Sequence, residues 1–182
     1  MEIHSLTHSP IHAHPAPVLT LRAWQYTDVD QLAKLANNRA IWNNLRDYFP
    51  HPYTRADANK WIRSHSTKRS STHYAILMDG ELVGAISIIP KEDIYRRSAE
   101  IGYWIGQPFW GKGIGTLAVT EVLEIFHRTH PEIIRVFAEV FAENKASMKV
   151  LQKNGFVLES VRKNAVIKNG VIGDDTVWVK ML

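Results

Sequence analysis

Apolar positions along the chain follow two rhythms. VLTLRAW (18–24) alternates apolar and polar residues, the period of a strand. From Val29 the apolar positions shift to 29, 32, 35 and 36, so TDVDQLAKLANN predicts a helix with Thr27 as N-cap and Asp30 three residues on. NNLRDYFPHPYT keeps neither rhythm; Pro50, Pro52 and the aromatics beside them predict a loop that is unusually apolar. Thr54 then stands as a cap for a second helix, ADANKWIRSH. THYAILMDGELVGAISIIP carries two apolar runs around Asp79-Gly80, a pair that tolerates positive φ, and predicts a hairpin. RSAEIGYWIG reads as another strand.

Helical spacing returns in GTLAVTEVLEIFHRTH, where Leu117, Val122, Leu123 and Phe126 are expected on one face. IIRVFAEVF predicts a strand, and NKASMKVLQKN a short helix closed by Gly155 as C′ residue. FVLESVRKN and VIGDDTVWVKML are the closing strands, joined by a turn at KNG. No internal repeat is visible. The order β-α-α-β-β-β-α-β-α-β-β has hairpins and one β-α-β crossover. It predicts an α/β (α+β) fold with a mixed, largely antiparallel central sheet flanked by helices. A doubly wound dinucleotide fold would alternate β and α throughout, which this chain does not.

Composition narrows the chemistry. The chain has 182 residues and no cysteine, so disulfides, thiolate zinc sites and a cysteine nucleophile are excluded. Residues 1–17, MEIHSLTHSPIHAHPAP, hold four of the nine histidines and three of the eight prolines, at 10, 15 and 17; they predict a flexible extension, a metal-binding tail being the other reading. Residues 18–182 are expected to form a single domain. No basic region followed by an apolar run opens the chain, and no apolar stretch approaches the ~20 residues of a membrane span, so a cytoplasmic protein without membrane partner is expected. A net charge of +4 suits an anionic ligand, while no dense Lys/Arg run supports nucleic acid.

The most unusual stretch is GYWIGQPFWGKGIGTLAV, 102–119. Gly106 to Lys112 follows a P-loop pattern until Gly113, where a magnesium-holding Ser or Thr is required, and no apolar strand ending in Asp offers the metal-binding partner. The dinucleotide pattern fails at Thr116 or, counted back, at Ile114, although Glu139 lies at about the right distance for its acidic residue. The remaining reading is a strand, a loop and a helix starting near Gly113, with the N–H groups of residues 111–116 free to fold around a diphosphate.

FWGKGIGTLAV, followed about 30 residues on by ENKASMKVLQKNGF, resembles the GNAT superfamily of acetyl-CoA-dependent N-acetyltransferases, and within it the ribosomal-protein N-terminal acetyltransferase-like (RimJ/RimL-like) branch. The resemblance covers residues 18–182. The superfamily's [QR]-x-x-G-x-[GA] pattern finds Gly113-Ile114-Gly115, with Trp110 where Gln or Arg is usual, as is common in this branch. The resemblance implies acetyl transfer from acetyl-CoA to a primary amine by direct attack in a ternary complex, without a metal. It implies coenzyme contacts from Trp104, Ile105, Trp110, Gly111, Lys112, Gly113, Ile114, Gly115, Thr116, Asn144 and Ser147. Backbone N–H groups late in EIGYWI, at Ile105 or its neighbours, would serve the oxyanion.

Many members place a tyrosine acid seven positions after the motif asparagine. Here that position is Leu151; the resemblance to this branch implies Ser147, three after Asn144, as the substitute proton donor to the thiolate, a plain helix-surface serine being the other reading. Asn144 is expected to bind the pantetheine arm, cap its helix, or both. Glu100 is the candidate base, directly or through water, or else a strand glutamate paired with Arg96 or Arg97; Glu139 is the alternative base. Lys145, Lys149 and Lys153 share a helix face, either solvated or facing the 3′-phosphate. Arg46, Asp47, Phe49, His51 and Tyr53 occupy the acceptor loop of this fold, and would contact substrate or cover the core. The first acceptor expectation is a protein N-terminal α-amine. A small-molecule amine (aminoglycoside, polyamine or amino acid), a non-catalytic acyl-CoA-binding module, and a nucleic-acid binder resting on charge alone are the alternatives. A monomer or homodimer is expected.

Overall fold

The computed structural model describes residues 17–66 and 72–182; almost all of the expected N-terminal extension, and the basic KRSS run at 68–71, lie outside them. Seven strands form one sheet: β1 (Leu19–Arg22), β2 (His73–Met78), β3 (Glu81–Pro90), β4 (Ser98–Ile105), β5 (Arg135–Phe141), β6 (Val157–Lys168) and β7 (Val171–Met181). Their spatial order is β1-β2-β3-β4-β5-β7-β6, antiparallel at every step but β4–β5, which is parallel. The expected mixed sheet is therefore present. Asp79-Gly80 and Asn169-Gly170 all have positive φ, as two-residue hairpin turns demand.

Helices α1 (Val29–Ala36), α2 (Arg39–Trp42) and α3 (Arg55–His65) cover one face, and α4 (Ile114–Thr129) with α5 (Lys145–Lys153) the other. Strand alternation divides the core accordingly. Ala99 and Ile101 of β4 join Val136, Ala138 and Trp178 under α4, while Ala75, Leu77 and Ala85 pack with Trp24, Leu32 and Ile62 under α1 and α3. On the α1/α3 face the even positions of β4 present Glu100, Gly102 and Trp104. No helix of the described residues is long and apolar enough to cross a membrane.

Three local expectations are corrected. Thr27 does not cap α1: it lies in a 3-10 turn, and the buried Asp28 organises that corner instead, accepting from Gln25 N (2.9 Å) and a forked pair from Arg22 (2.7 and 2.7 Å). The apolar loop contains α2, a single turn too short for periodicity to register; Asn38 caps it by accepting from Ala40 N and Ile41 N. Leu117 is 49% exposed, because it shares its helix face with Glu121 and Glu124; the buried stripe is Ile114, Ala118, Val119, Val122, Leu123 and Phe126. Thr54 does cap α3, in a reciprocal box with Asp57.

Candidate functional site

The site begins where β4 and β5 part. Their parallel ladder holds from Ser98↔Arg135 to Glu100↔Phe137 and then ends, although both strands continue. The antiparallel pairing with β3 fixes what the gap exposes. Lys91 N bonds Ser98 O and Gly106 N bonds Val83 O, so even-numbered residues of β4 bond to β3. The N–H and C=O groups of Tyr103 and Ile105 therefore point the other way, into the opening, with no strand to receive them. Trp110 closes part of it: its indole N–H donates to Ile105 O at 2.6 Å, leaving the Ile105 N–H available.

At the top of the gap sits the N-terminus of α4. Gly111 and Gly113 both have φ of 76°, and a Cβ built on either meets nothing within 4 Å. These glycines are required by the left-handed backbone, not by crowding. Gly113 is the N-cap and no side chain caps the helix. Leu117 N already bonds Gly113 O, so the free donors are those of Ile114, Gly115 and Thr116. They carry the positive end of a helix of 16 residues. Gly115 is different: an added Cβ would meet Val150 and Ile105 side chains at 3.5 and 3.8 Å, ordinary contact. Lys112 lies over the Phe109 ring, 5.6 Å from its centre.

Across the gap stands the first turn of α5. Asn144 is its N-cap and accepts from Ser147 N at 3.1 Å. The Ser147 hydroxyl lies 2.9 Å from the Tyr103 hydroxyl, which also donates to Ser147 O at 3.1 Å. Burial pushes the Tyr103 phenol up to about 12, against a smaller opposing effect of the Ser147 bond. Lys145, Lys149 and Lys153 are exposed. Asn154, buried at 8% exposure, clamps α5 to α4: it accepts from Thr120 Oγ1 at 2.8 Å and donates to Thr116 O and Val150 O at 3.2 and 2.9 Å.

The gap opens on the α1/α3 side into a cavity of about 710 Å³, lined among others by Phe49, Tyr53, Trp61, His73, Trp104 and Ser147. Gly102 is exposed in its floor, with nothing within 4 Å of where a side chain would start. Phe49 meets Trp104 edge-on at 6.3 Å and Tyr53 at 4.9 Å. His73 bonds the Ser87 hydroxyl at 2.7 Å; burial, with a like-charge contribution from His65, pushes it down to about 4.

An alternating row of charges crosses this face. Arg46 Nη2 donates to Glu100 on β4 and to Glu139 on β5, both at 2.7 Å. Lys91 holds the second oxygen of Glu100 at 2.5 Å, and Arg162 links Glu139 (2.9 Å) to the buried Asp175. Burial opposes ionisation of Glu139, but Arg162 and then Arg46 outweigh it and hold the carboxyl below its usual range. The partners of Glu100 are thus Arg46 and Lys91; its alternative pairing with Arg96 or Arg97 does not occur.

Arg46, Asp47, Phe49 and Tyr53 line the cavity, with Asp47 held by Lys168 at 2.6 Å. His51 does not reach the cavity; it stacks on Trp42 at 5.5 Å. Tyr103, Asn154 and the cations Lys91 and Arg162 were not signalled by any motif. Tyr103 alone left a trace: a hydroxyl in the register that Ile101 and Ile105 mark as apolar. Among the described residues no group of three or more His, Asp or Glu is placed to hold a metal ion.

Residues 18–157 match the family model described as an acetyltransferase (GNAT) domain. The chain is 28% identical over 155 residues to the Escherichia coli (strain K12) ribosomal protein uS5-alanine N-acetyltransferase, covering 81% of this chain and 76% of the relative. It is 28% identical over 109 residues to the ribosomal-protein-serine acetyltransferase of the same organism, 60% of each chain. Among solved structures, RimL, a ribosomal L7/L12 alpha-N-protein acetyltransferase in complex with coenzyme A, superposes with a TM-score of 0.78 at 26% identity, over 90% of this chain and 94% of that one.

Proposed function

The chain belongs to the GNAT acetyltransferase family and is an acetyl-CoA-dependent N-acetyltransferase; from that premise we propose that it acetylates the α-amine at a protein N-terminus. The observation that carries the reading is the parting of β4 and β5, which puts unpaired N–H groups, a helix N-terminus and a serine hydroxyl around one opening.

The residues present fit acetyl-CoA as co-substrate. The donors of Ile114, Gly115 and Thr116, reached without obstruction past Gly111 and Gly113, suit its diphosphate. Tyr103 and Ile105 offer backbone groups that an extended pantetheine arm pairs with as an added strand would, and the Ile105 N–H is the oxyanion donor. Ser147 donates to the thiolate as it leaves. The acceptor enters from the cavity over Gly102, between Trp104 and Arg46. Both oxygens of Glu100 already accept from cations, so proton removal through water, with Glu100 as the nearby carboxylate, fits better than direct contact.

The α-amine is favoured on two grounds. Relatives over most of the chain act on ribosomal-protein alanine and L7/L12 α-amines by their names. An α-amine, with pKa near 7.7–8.0, also needs far less help from a base than a lysine at ~10.4. The test is thiol release from acetyl-CoA against N-terminal tetrapeptides, spermidine, kanamycin and free amino acids. Peptide turnover, abolished by N-terminal blocking, is expected. Turnover of spermidine or kanamycin alone would move the acceptor to small molecules, and thermal stabilisation by NAD or ATP but not CoA would remove the coenzyme assignment.

A further inference from the structure

We propose that Tyr103 is a positioning residue of the leaving-group site: its hydroxyl aims the Ser147 O–H at the departing sulfur and strengthens it as a donor. This rests on the reading of Ser147 as the thiolate's donor.

Odd positions of β4 point under α4 and α5, and Ala99, Ile101 and Ile105 there are apolar. Packing alone asks for an apolar residue at 103 as well. The hydroxyl that tyrosine adds must find a partner in that layer, and it finds both polar atoms of Ser147, Oγ at 2.9 Å and the carbonyl at 3.1 Å. The carbonyl does not need it, since a first-turn carbonyl of α5 is served by the N–H four residues on. The contact that needs explaining is the one between the two hydroxyls.

Each hydroxyl has one hydrogen, which restricts the arrangements. If Tyr103 gives its hydrogen to the carbonyl, Ser147 is free to give its own back to Tyr103 and is then lost to the cleft. If Tyr103 gives its hydrogen to Oγ, Ser147 cannot donate back, and its O–H turns to the cleft that Ser147 lines. A thiolate forming there selects the second arrangement. As the C–S pair moves onto sulfur, the Ser147 O–H donates to it and Oγ gains negative charge, so the bond from Tyr103 tightens. The tightening occurs only as charge develops, which is the condition for accelerating a step. No proton leaves Tyr103, because a phenol near 12 holds its hydrogen throughout the range in which a thiol of about 8.5 titrates.

The product CoA reports this without any acceptor. The thiolate of bound CoA is followed by ultraviolet absorbance against pH in the wild type, Tyr103→Phe, Ser147→Ala and the double variant, with CoA affinity and melting temperature measured alongside. The bound thiol of the wild type is expected to titrate below the free thiol. Tyr103→Phe should raise that value by about one unit, a tenfold loss of thiolate preference, with affinity for the protonated thiol of CoA, measured below the titration, within twofold. In the Ser147→Ala background the same change should do nothing. If Ser147→Ala leaves the titration where it was, the donor reading of Ser147 falls. If Ser147→Ala moves it and Tyr103→Phe does not, or moves it equally in both backgrounds, the Tyr103 proposal falls while the donor reading stands. Should Tyr103→Phe fold poorly, Tyr103→Met, which keeps apolar volume without a hydroxyl, decides by the same comparison.

Discussion

The left-handed N-cap of α4 makes a prediction with its own control. At Gly113, φ of 76° costs a residue with a side chain ~1–2 kcal/mol, and the open space around the site adds no clash and offers no compensating contact. Gly113→Ala therefore either keeps the loop under strain or relaxes it and turns the donors of Ile114 to Thr116 away. Strain alone lowers the melting temperature by about 2–8 °C for a chain of this size. Relaxation appears instead as CoA affinity weakened by roughly five- to thirtyfold at ~1.4 kcal/mol per decade. Gly115→Ala, two residues on, has the opposite sign. It lies in the first turn with ordinary φ, its Cβ would rest 3.5 Å from Val150, and alanine gains ~1 kcal/mol of helix propensity over glycine. Scanning calorimetry with CoA titration on both variants checks this. The expected result is loss at 113 and an unchanged or raised melting temperature at 115. Equal losses at both sites, or an unaffected Gly113→Ala, would refute the backbone argument and leave crowding or side-chain contacts as the reason for the glycines.

Other outcomes follow from single contacts. Asn154→Ala removes a buried clamp of three hydrogen bonds, two of them from α5 to α4, and should cost ~2 kcal/mol, about 4–8 °C in melting temperature, with weaker CoA binding because the first turn of α4 loses its hold at Thr116 O. Trp110→Phe keeps the ring but loses the bond to Ile105 O, and should weaken CoA by about two- to tenfold with little effect on melting. His73, near 4 in the folded protein against an ordinary 6.5, is neutral when folded but takes a proton when unfolded between those values; stability is thus full above pH 6.5 and falls as the pH drops toward 4. His73→Gln should flatten melting temperature against pH between 6.5 and 4.5. Glu139, held below its usual range, contributes its own loss only at lower pH.

Contiguity decided what could be read from the sequence. The strands and long helices announced themselves because each repeats its period several times. The single turn of α2 had no room to do so, and Thr27 offered the right chemistry one residue away from the carboxylate that organises the corner. Leu117 shows the same limit inside a correctly placed helix: apolar character alone did not reveal that its face is shared with two glutamates. The glycine loop before α4 and the Asn144–Ser147 cap were legible because each lies within a short stretch. The contacts across the sheet were not, since Tyr103 meets Ser147 across 44 residues, and Arg46 meets Glu100 and Glu139 across 54 and 93. Only the sheet order brings those residues together.

The charge row over the cavity bears on which amine the site suits. Lys91, Arg46 and Arg162 alternate with Glu100, Glu139 and Asp175, so the three positive and three negative groups cancel. Glu139, held below its usual range by Arg162 and then Arg46, is a weak proton acceptor, because gaining a proton forfeits both attractions. A site built this way pulls a proton from an ammonium only feebly. At pH 7 the cost of having a neutral amine is ~1 kcal/mol for an α-amine and ~4.6 kcal/mol for a lysine, at 1.36 kcal/mol per pKa unit. The first is within reach of water alone; the second calls for a dedicated base. These electrostatics support the proposed α-amine acceptor, an amine already close to neutrality at working pH.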